Sequence, residues 1–187
     1  IVPLTNKQKR KLKKVNTGLR IKEIEPMTKT QERVFNSYYS GKNIMCHGVA
    51  GTGKTFIATY LATQEVLSNY NDTRSLHIIR SVVPTRDMGF LPGNQREKSK
   101  VYEAPYYAIF SELFDRGDAY EILKGREQVY FTTTSFIRGL TINDAVVIVD
   151  ECQNMTYHEL DSIITRLGDN CKIAVSYTHL RAHETRF

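Results

Sequence analysis

The sequence predicts an α/β domain, a parallel sheet with helices on both faces, and three observations predict it. Apolar runs that suit strands alternate with segments of helical periodicity. One run, Ala145-Val146-Val147-Ile148-Val149, is continuously apolar, which marks a central parallel strand buried on both faces. A glycine-rich stretch, Gly48 to Thr55, stands between an apolar run and a helix-like one, the strand–loop–helix order of a phosphate-binding loop. A chain of 187 residues with no internal repeat suits a single core domain.

Residues 1–22 hold eight Lys or Arg and no acid, against a net charge of +6 for the whole chain, so residues 23–187 sum to −2. The pI of 9.2 therefore comes from a basic leader, set at residues 1–25. Two readings of that leader stay open: an arm, Asn6 to Lys14, that grips phosphates of RNA or DNA, or a solvated, disordered lead-in. Pro26 ends it. Thr28 is an N-cap with Gln31 at capping-box spacing, and Gly41 stops the helix that reaches Tyr39. Gln31 has two compatible roles, as a cap or as an amide that reads an adenine edge.

The run Ile44-Met45-Cys46 is the first strand and Lys54 to Leu67 the next helix. Ser75 to Arg80 reads as the second strand, with His77 inside it as a structural histidine. Ser81 to Lys100, with Pro84, Gly89, Pro92 and Gly93, is the least regular stretch, and long loops in compact domains tend to be functional or disordered. Glu103 to Phe114 is helical. Its tyrosines Tyr102, Tyr106 and Tyr107 suit a core or lid, with base stacking as the other reading. Gln128 to Thr133 is the third strand, and Ala145 to Val149 the fourth. Leu160, Ile163, Ile164 and Leu167 follow at i, i+3, i+4, i+7 as an amphipathic helix stopped by Gly168. Cys171 to Ala174 begins a fifth strand.

Gly48-Val49-Ala50-Gly51-Thr52-Gly53-Lys54-Thr55 fits G-x-x-x-x-G-K-[ST] at every fixed position. Glycines let the backbone take positive φ and approach a ligand closely. The loop amides and the helix N-terminus then converge on an anion. Lys54 would reach the outer phosphates of a nucleotide, and Thr55 would offer its hydroxyl to Mg²⁺. About 95 residues on, Asp150-Glu151 closes the central strand, and α/β sheets bind ligands at the carboxyl ends of their strands. Asp150 suits a Mg²⁺ ligand, through water, and Glu151 a base that polarises an attacking water. That pair argues against a kinase, which has to suppress hydrolysis. A cation on the γ-phosphate could come from Arg138, from Arg166 or from a second subunit; either arginine could equally be a surface ion-pair residue.

No stretch has 18 consecutive apolar residues, so no transmembrane helix is expected, and Ile1 to Arg20 lacks the apolar core of a signal peptide. Cys46, Cys152 and Cys171 lack zinc-ligand spacing and read as reduced thiols of a cytoplasmic protein.

Gly48 to Thr55, Gly89-Phe90-Leu91-Pro92-Gly93 with Glu97-Lys98, Phe136-Ile137-Arg138-Gly139 with Thr141-Ile142-Asn143-Asp144, Val149-Asp150-Glu151-Cys152-Gln153-Asn154 and Thr165-Arg166-Leu167-Gly168 together resemble the PhoH family. The resemblance covers about residues 26–174, and alanine is usual in the family where Cys152 stands. It implies a single RecA-like P-loop ATPase core, similar to the first motor domain of superfamily-one helicases, with ATP and Mg²⁺ as ligands and Gln31 at the adenine. It also implies links to phosphate starvation and RNA metabolism, phage or bacterial relatives, and homo-oligomers as one arrangement. The alternative it leaves open is a nucleotide-switched module that acts through a protein partner with little turnover. Residues 175–187 depart from the family and read as a translated sequencing-adapter read-through. The domain boundary is therefore set at 174, and 175–187 is expected to be a non-native tail.

Overall fold

The computed structural model describes residues 18–68, 70–81, 95–137 and 139–179, with the backbone alone for 95–99. The basic residues 7–14, the G-F-L-P-G segment at 89–93, Arg138 and residues 180–187 lie outside the described residues. In chain order the elements are α1 (Lys29–Tyr39), β1 (Ile44–Gly48), α2 (Lys54–Leu67), β2 (Ser75–Arg80), α3 (Gln95–Phe114), α4 (Ala119–Gly125), β3 (Val129–Thr133), β4 (Ala145–Asp150), α5 (Tyr157–Ile164) and β5 (Lys172–Thr178).

The five strands form one sheet in the order β1-β5-β4-β2-β3, and every pair is parallel. β4 sits at the centre with all six residues buried, as its unbroken apolar run requires. Alternation sends its side chains to two cores. Val146 and Ile148 join Leu61, Tyr106, Phe110 and Leu123 on the face covered by α1 to α4. Ala145, Val147 and Val149 join Ile137, Ile142 and Ile163 on the face covered by α5 and its flanking turns. The first face is the thicker, and α2 is buried nearly all round because β4, β5, α1 and α3 all touch it.

Three boundaries differ from those read in the sequence. Helix α3 begins at Gln95 rather than Glu103, and α4 is an additional helix. The leader boundary at 25 falls too late: Leu19, Ile21 and Ile24 pack against the larger core, Lys22 N–H donates to Leu113 O at 2.8 Å, and Lys22 pairs with Asp115. The domain boundary at 174 falls too early. Strand β5 continues to Thr178, pairing Val175 with Met45, Ser176 with Cys46, Tyr177 with His47 and Thr178 with Gly48. Because β5 lies between β1 and β4, these residues join β1 to the sheet.

The segments Thr141–Asp144 and Thr165–Gly168 meet at the amino ends of β4 and β5. Ile142 N–H donates to Arg166 O at 2.9 Å and Gly168 N–H to Ile142 O at 2.8 Å. A Cβ on Gly168 would lie 2.0 Å from Asn143 Oδ1, so a larger residue there would displace the Asn143 side chain, which accepts from Asp169 N–H. His77 is half-buried, stacked on Tyr130 at 4.7 Å between ring centroids, with its Nε2 3.1 Å from Ser75 Oγ. It is a structural residue. All three cysteines are free thiols.

Ending the chain after Ala174 leaves β1 one register pair with β5, so the cooperative urea transition should vanish, whereas a chain ending after His179 should keep it. Burial lowers the His77 imidazole to about 4. Its folded pKa lies below the unfolded value of about 6.5, so stability is full above pH 6.5 and falls by up to about 3 kcal/mol as pH drops to 4. His77→Phe keeps the stack, and urea titrations from pH 7 to pH 4 should show a shallower decline; equal slopes would rule this account out.

Candidate functional site

The glycine loop closes β1 and opens α2 at the carboxyl edge of the sheet. Gly51 and Gly53 have φ of +75° and +78°, the region that L side chains rarely adopt, so the motif glycines serve here as backbone requirements. The loop is also braced from within. Thr52 Oγ1 donates to Val49 O at 3.0 Å, and Lys54 Nζ donates to the same carbonyl at 2.7 Å. Residues Ala50 to Phe56 line an open cleft of about 220 Å³ that Glu151 and Thr178 complete.

Thr55 and Asp150, 95 residues apart in sequence, meet at this edge. Thr55 Oγ1 donates to Asp150 Oδ1 at 2.6 Å. Asp150 is buried, and its carboxylate is fully partnered. Ser176 Oγ donates to Oδ1 at 2.5 Å, Tyr106 OH donates to Oδ2 at 2.6 Å, and Arg80 Nη1 lies 3.9 Å from Oδ2. A buried carboxylate is tolerated when hydrogen bonds and a counter-charge replace its water. Burial and the adjacent Asp150 push the Tyr106 phenol well above its usual range, so it stays protonated and donates. Thr55 and Asp150 Oδ1 form an all-oxygen pair facing the phosphate loop, which fits Mg²⁺ held by few protein ligands.

Glu151 stands in the left-handed region at φ +51°, ψ +49°. Its N–H donates to Ser176 Oγ at 3.0 Å, and its carboxylate accepts from Gln153 Nε2. Gln31 also comes to the loop, with Nε2 3.8 Å from where a Cβ on Gly53 would stand. Its Oε1 accepts from Met27 N–H at 2.7 Å while its own N–H donates to Thr28 Oγ1. Half of the expected capping box is present, and the side chain braces the residue before the cap instead.

Arg166 is not brought to the cleft. It lies with Ile142 at the amino end of β4, and the six residues of that strand span roughly 20 Å, beyond an arginine's reach. Its Nε is buried with no hydrogen-bond partner among the described residues. An arginine that does stand at this edge is Arg80, the register partner of Asp150. The available signal was a charged residue ending an apolar strand. Tyr106 was expected in the core, yet its polar partner was not legible. Glu159 is a further polar junction: it caps α5 through Thr156 and accepts from Ser81 Oγ at the end of β2 and Thr134 Oγ1 after β3.

A parallel α/β core that sets a glycine loop against a carboxylate pair at its strand ends defines a P-loop nucleotide-binding domain of the ATPase type. Comparisons with known proteins agree. The family model described as PhoH-like protein matches residues 23–181. Protein PhoH2 of Bacillus subtilis is 37% identical over 134 residues, covering 68% of this chain and 30% of that protein. A PhoH-like protein of Synechocystis is 36% identical over 132 residues, covering 70% and 39%. The chain thus belongs to the PhoH family, and it spans about a third of the length of these relatives. Among solved structures, the Sulfolobus solfataricus SWI2/SNF2 ATPase core in complex with dsDNA superposes with a TM-score of 0.54 at 15% identity, covering 86% of this chain and 33% of that one. That likeness concerns the fold. No helix among the described residues is long and apolar enough to cross a membrane.

Replacing Glu159 by alanine strands the Ser81 and Thr134 hydroxyls and opens the α5 cap. The expected loss is roughly 1–3 kcal/mol, read as a lower urea midpoint at unchanged m-value; an unchanged midpoint would show that the junction carries no stability.

Proposed function

We propose that this domain binds ATP with Mg²⁺ and hydrolyses it, with turnover coupled to RNA or single-stranded DNA. The observation that carries the reading is the meeting of Thr55 with Asp150 beside Glu151 at the phosphate loop. Lys54 and the loop amides bind the phosphates. Thr55 and Asp150 hold the metal, which when bound supplies charge neutralisation on the β- and γ-phosphates. Glu151, facing the same cleft, accepts a proton from the attacking water. Gln31, beside Gly53, serves the nucleoside end. Besides Lys54, Arg80 ends β2 on the same edge, as the register partner of Asp150.

The nucleic-acid half of the proposal rests on the cluster of eight basic residues in 1–22 and on the dsDNA-bound state of a protein of similar fold. The competing reading is a nucleotide-controlled switch with slow turnover. Stimulation of ATPase rate by single-stranded RNA or DNA, falling with salt as counterion release requires, distinguishes the two. A rate indifferent to nucleic acid would reject coupling.

The chemistry has its own test. Lys54→Ala should weaken binding of a fluorescent ATP analogue by about 10- to 100-fold, the worth of a charge-assisted hydrogen bond. Glu151→Gln should bind normally and lose roughly 10²–10⁴ in turnover. Wild-type turnover in Glu151→Gln would remove Glu151 from the mechanism.

A further inference from the structure

The carboxyl ends of β1 and β5 carry two histidines that the nucleotide reading does not use. Strand β1 alternates between its faces: Ile44 and Cys46 are buried in the larger core, while Met45 and His47 are exposed. His47 therefore projects from the face opposite α2. Its register partner is Tyr177, whose ring stacks on the imidazole at 5.4 Å between centroids. His179 follows two residues later. Its N–H donates to Gly48 O at 3.0 Å, which extends the β1–β5 ladder by one bond. Its ring centroid lies 5.9 Å from that of His47, with the planes at 48°. Both histidines are exposed, so their ring nitrogens are open to solvent.

We infer that His47 and His179 form a two-imidazole site for a late first-row divalent metal ion, of the class Ni²⁺, Cu²⁺ and Zn²⁺, which ties the end of β5 to β1 directly before the phosphate loop. Imidazole is a favoured ligand of these ions, whereas Mg²⁺ and Ca²⁺ favour oxygen. Metal–nitrogen bonds of about 2.0–2.1 Å at angles of about 90–110° set two imidazole centroids on one ion roughly 4.5–5.2 Å apart. The observed 5.9 Å closes to that range by a shift of about 1 Å, which exposed rings can make because the terminal torsion of histidine is broad. The pair is also prepared by the backbone. Parallel pairing of β1 with β5 and the bond from His179 N–H to Gly48 O set the separation of the two imidazoles before an ion arrives. No group of three or more His, Cys, Asp or Glu side chains gathers for a metal among the described residues. The protein therefore supplies two ligands here, and water completes the shell. An ion that joins the strands of the folded chain stabilises it by mass action.

The test uses the full chain without nucleotide, so its outcome does not depend on the reading of the phosphate loop. Ni²⁺ is titrated calorimetrically, with Mg²⁺ as the hard-ion control, alongside thermal melts. Wild type should bind Ni²⁺ saturably at one ion per chain and gain melting temperature with Ni²⁺ but not with Mg²⁺. His47→Ala and His179→Ala should each abolish that binding over the range in which wild type saturates. Melts of the metal-free variants show that they fold; where alanine is not tolerated, His47→Gln or His179→Gln keeps the size of the side chain and removes the imidazole. His158→Ala should bind as wild type does. Absence of saturable Ni²⁺ binding to wild type overturns the inference, and so does wild-type affinity in a folded His47 variant. Loss of binding in His183→Ala together with retention in His47→Ala would place the ion on another pair and overturn it equally.

Discussion

The carboxylate of Asp150 is the constraint on which this edge of the molecule depends. An ionised carboxyl taken out of water costs several kcal/mol unless the protein replaces its solvation. Here four elements supply that replacement: Thr55 from α2, Tyr106 from α3, Ser176 from β5 and Arg80 from β2. Each donor is also held by its own element, so the burial of one charge fixes the mutual placement of four pieces of secondary structure. A chain that buried a hydrophobic residue at 150 would be spared the desolvation and would lose this reason for register. Polar specificity and the presentation of an oxygen to the phosphate loop come from the same arrangement.

Strand order explains why those donors can meet. The glycine loop follows β1, yet Asp150 ends β4, and β5 lies between them. Neighbouring strands are about 4.8 Å apart, so the two strand ends are separated by about 10 Å. Helix α2 bridges this gap, because it leaves β1 and packs against β4 and β5, bringing Thr55 back over Asp150. The intervening strand contributes Ser176, whose hydroxyl contacts both Asp150 and the Glu151 N–H. All strands being parallel, every carboxyl end lies on this one edge, and residues at the amino ends, Arg166 among them, belong to the scaffold.

What the sequence made legible follows from how local each signal is. The phosphate loop is a contiguous pattern, and its glycines are needed for backbone reasons visible in eight residues. The buried strand β4 declares itself through composition alone. Helix α4 went unread because a seven-residue helix with three buried positions carries barely two turns of periodicity. The helical phase of Tyr106, Phe110 and Leu113 correctly assigns Tyr106 to a core, but its hydroxyl partner lies 44 residues away, and no spacing rule connects them. Arg80 was similarly hidden, since its meaning comes from register with Asp150. Residues 175–178 look foreign as a string, whereas backbone pairing in a parallel sheet depends on the side chains only weakly, and alternating Val175, Ser176 and Tyr177 satisfy it.

Glu151 shows how strand geometry and site geometry conflict, and how the conflict is met. Side chains alternate along a strand. With Asp150 on the face of α2, a residue continuing β4 in extended form would point to the opposite face, toward the core of Val147 and Val149. A carboxylate there would be buried away from the cleft. The left-handed backbone at Glu151 breaks the alternation and leaves its side chain in the cleft lining beside Gly51 to Thr55. For a residue with a Cβ, that conformation costs of order 1–3 kcal/mol. Glycine would remove the cost and the carboxylate with it. The hydrogen bond from Glu151 N–H to Ser176 Oγ and the following turn at Cys152–Asn154 hold the strained residue in place. Glu151 shares positive φ with Asp115, Glu127, Asp144 and Asn170, and at Glu151 that backbone turns a carboxylate into the cleft that alternation would have sent to the opposite face of the sheet.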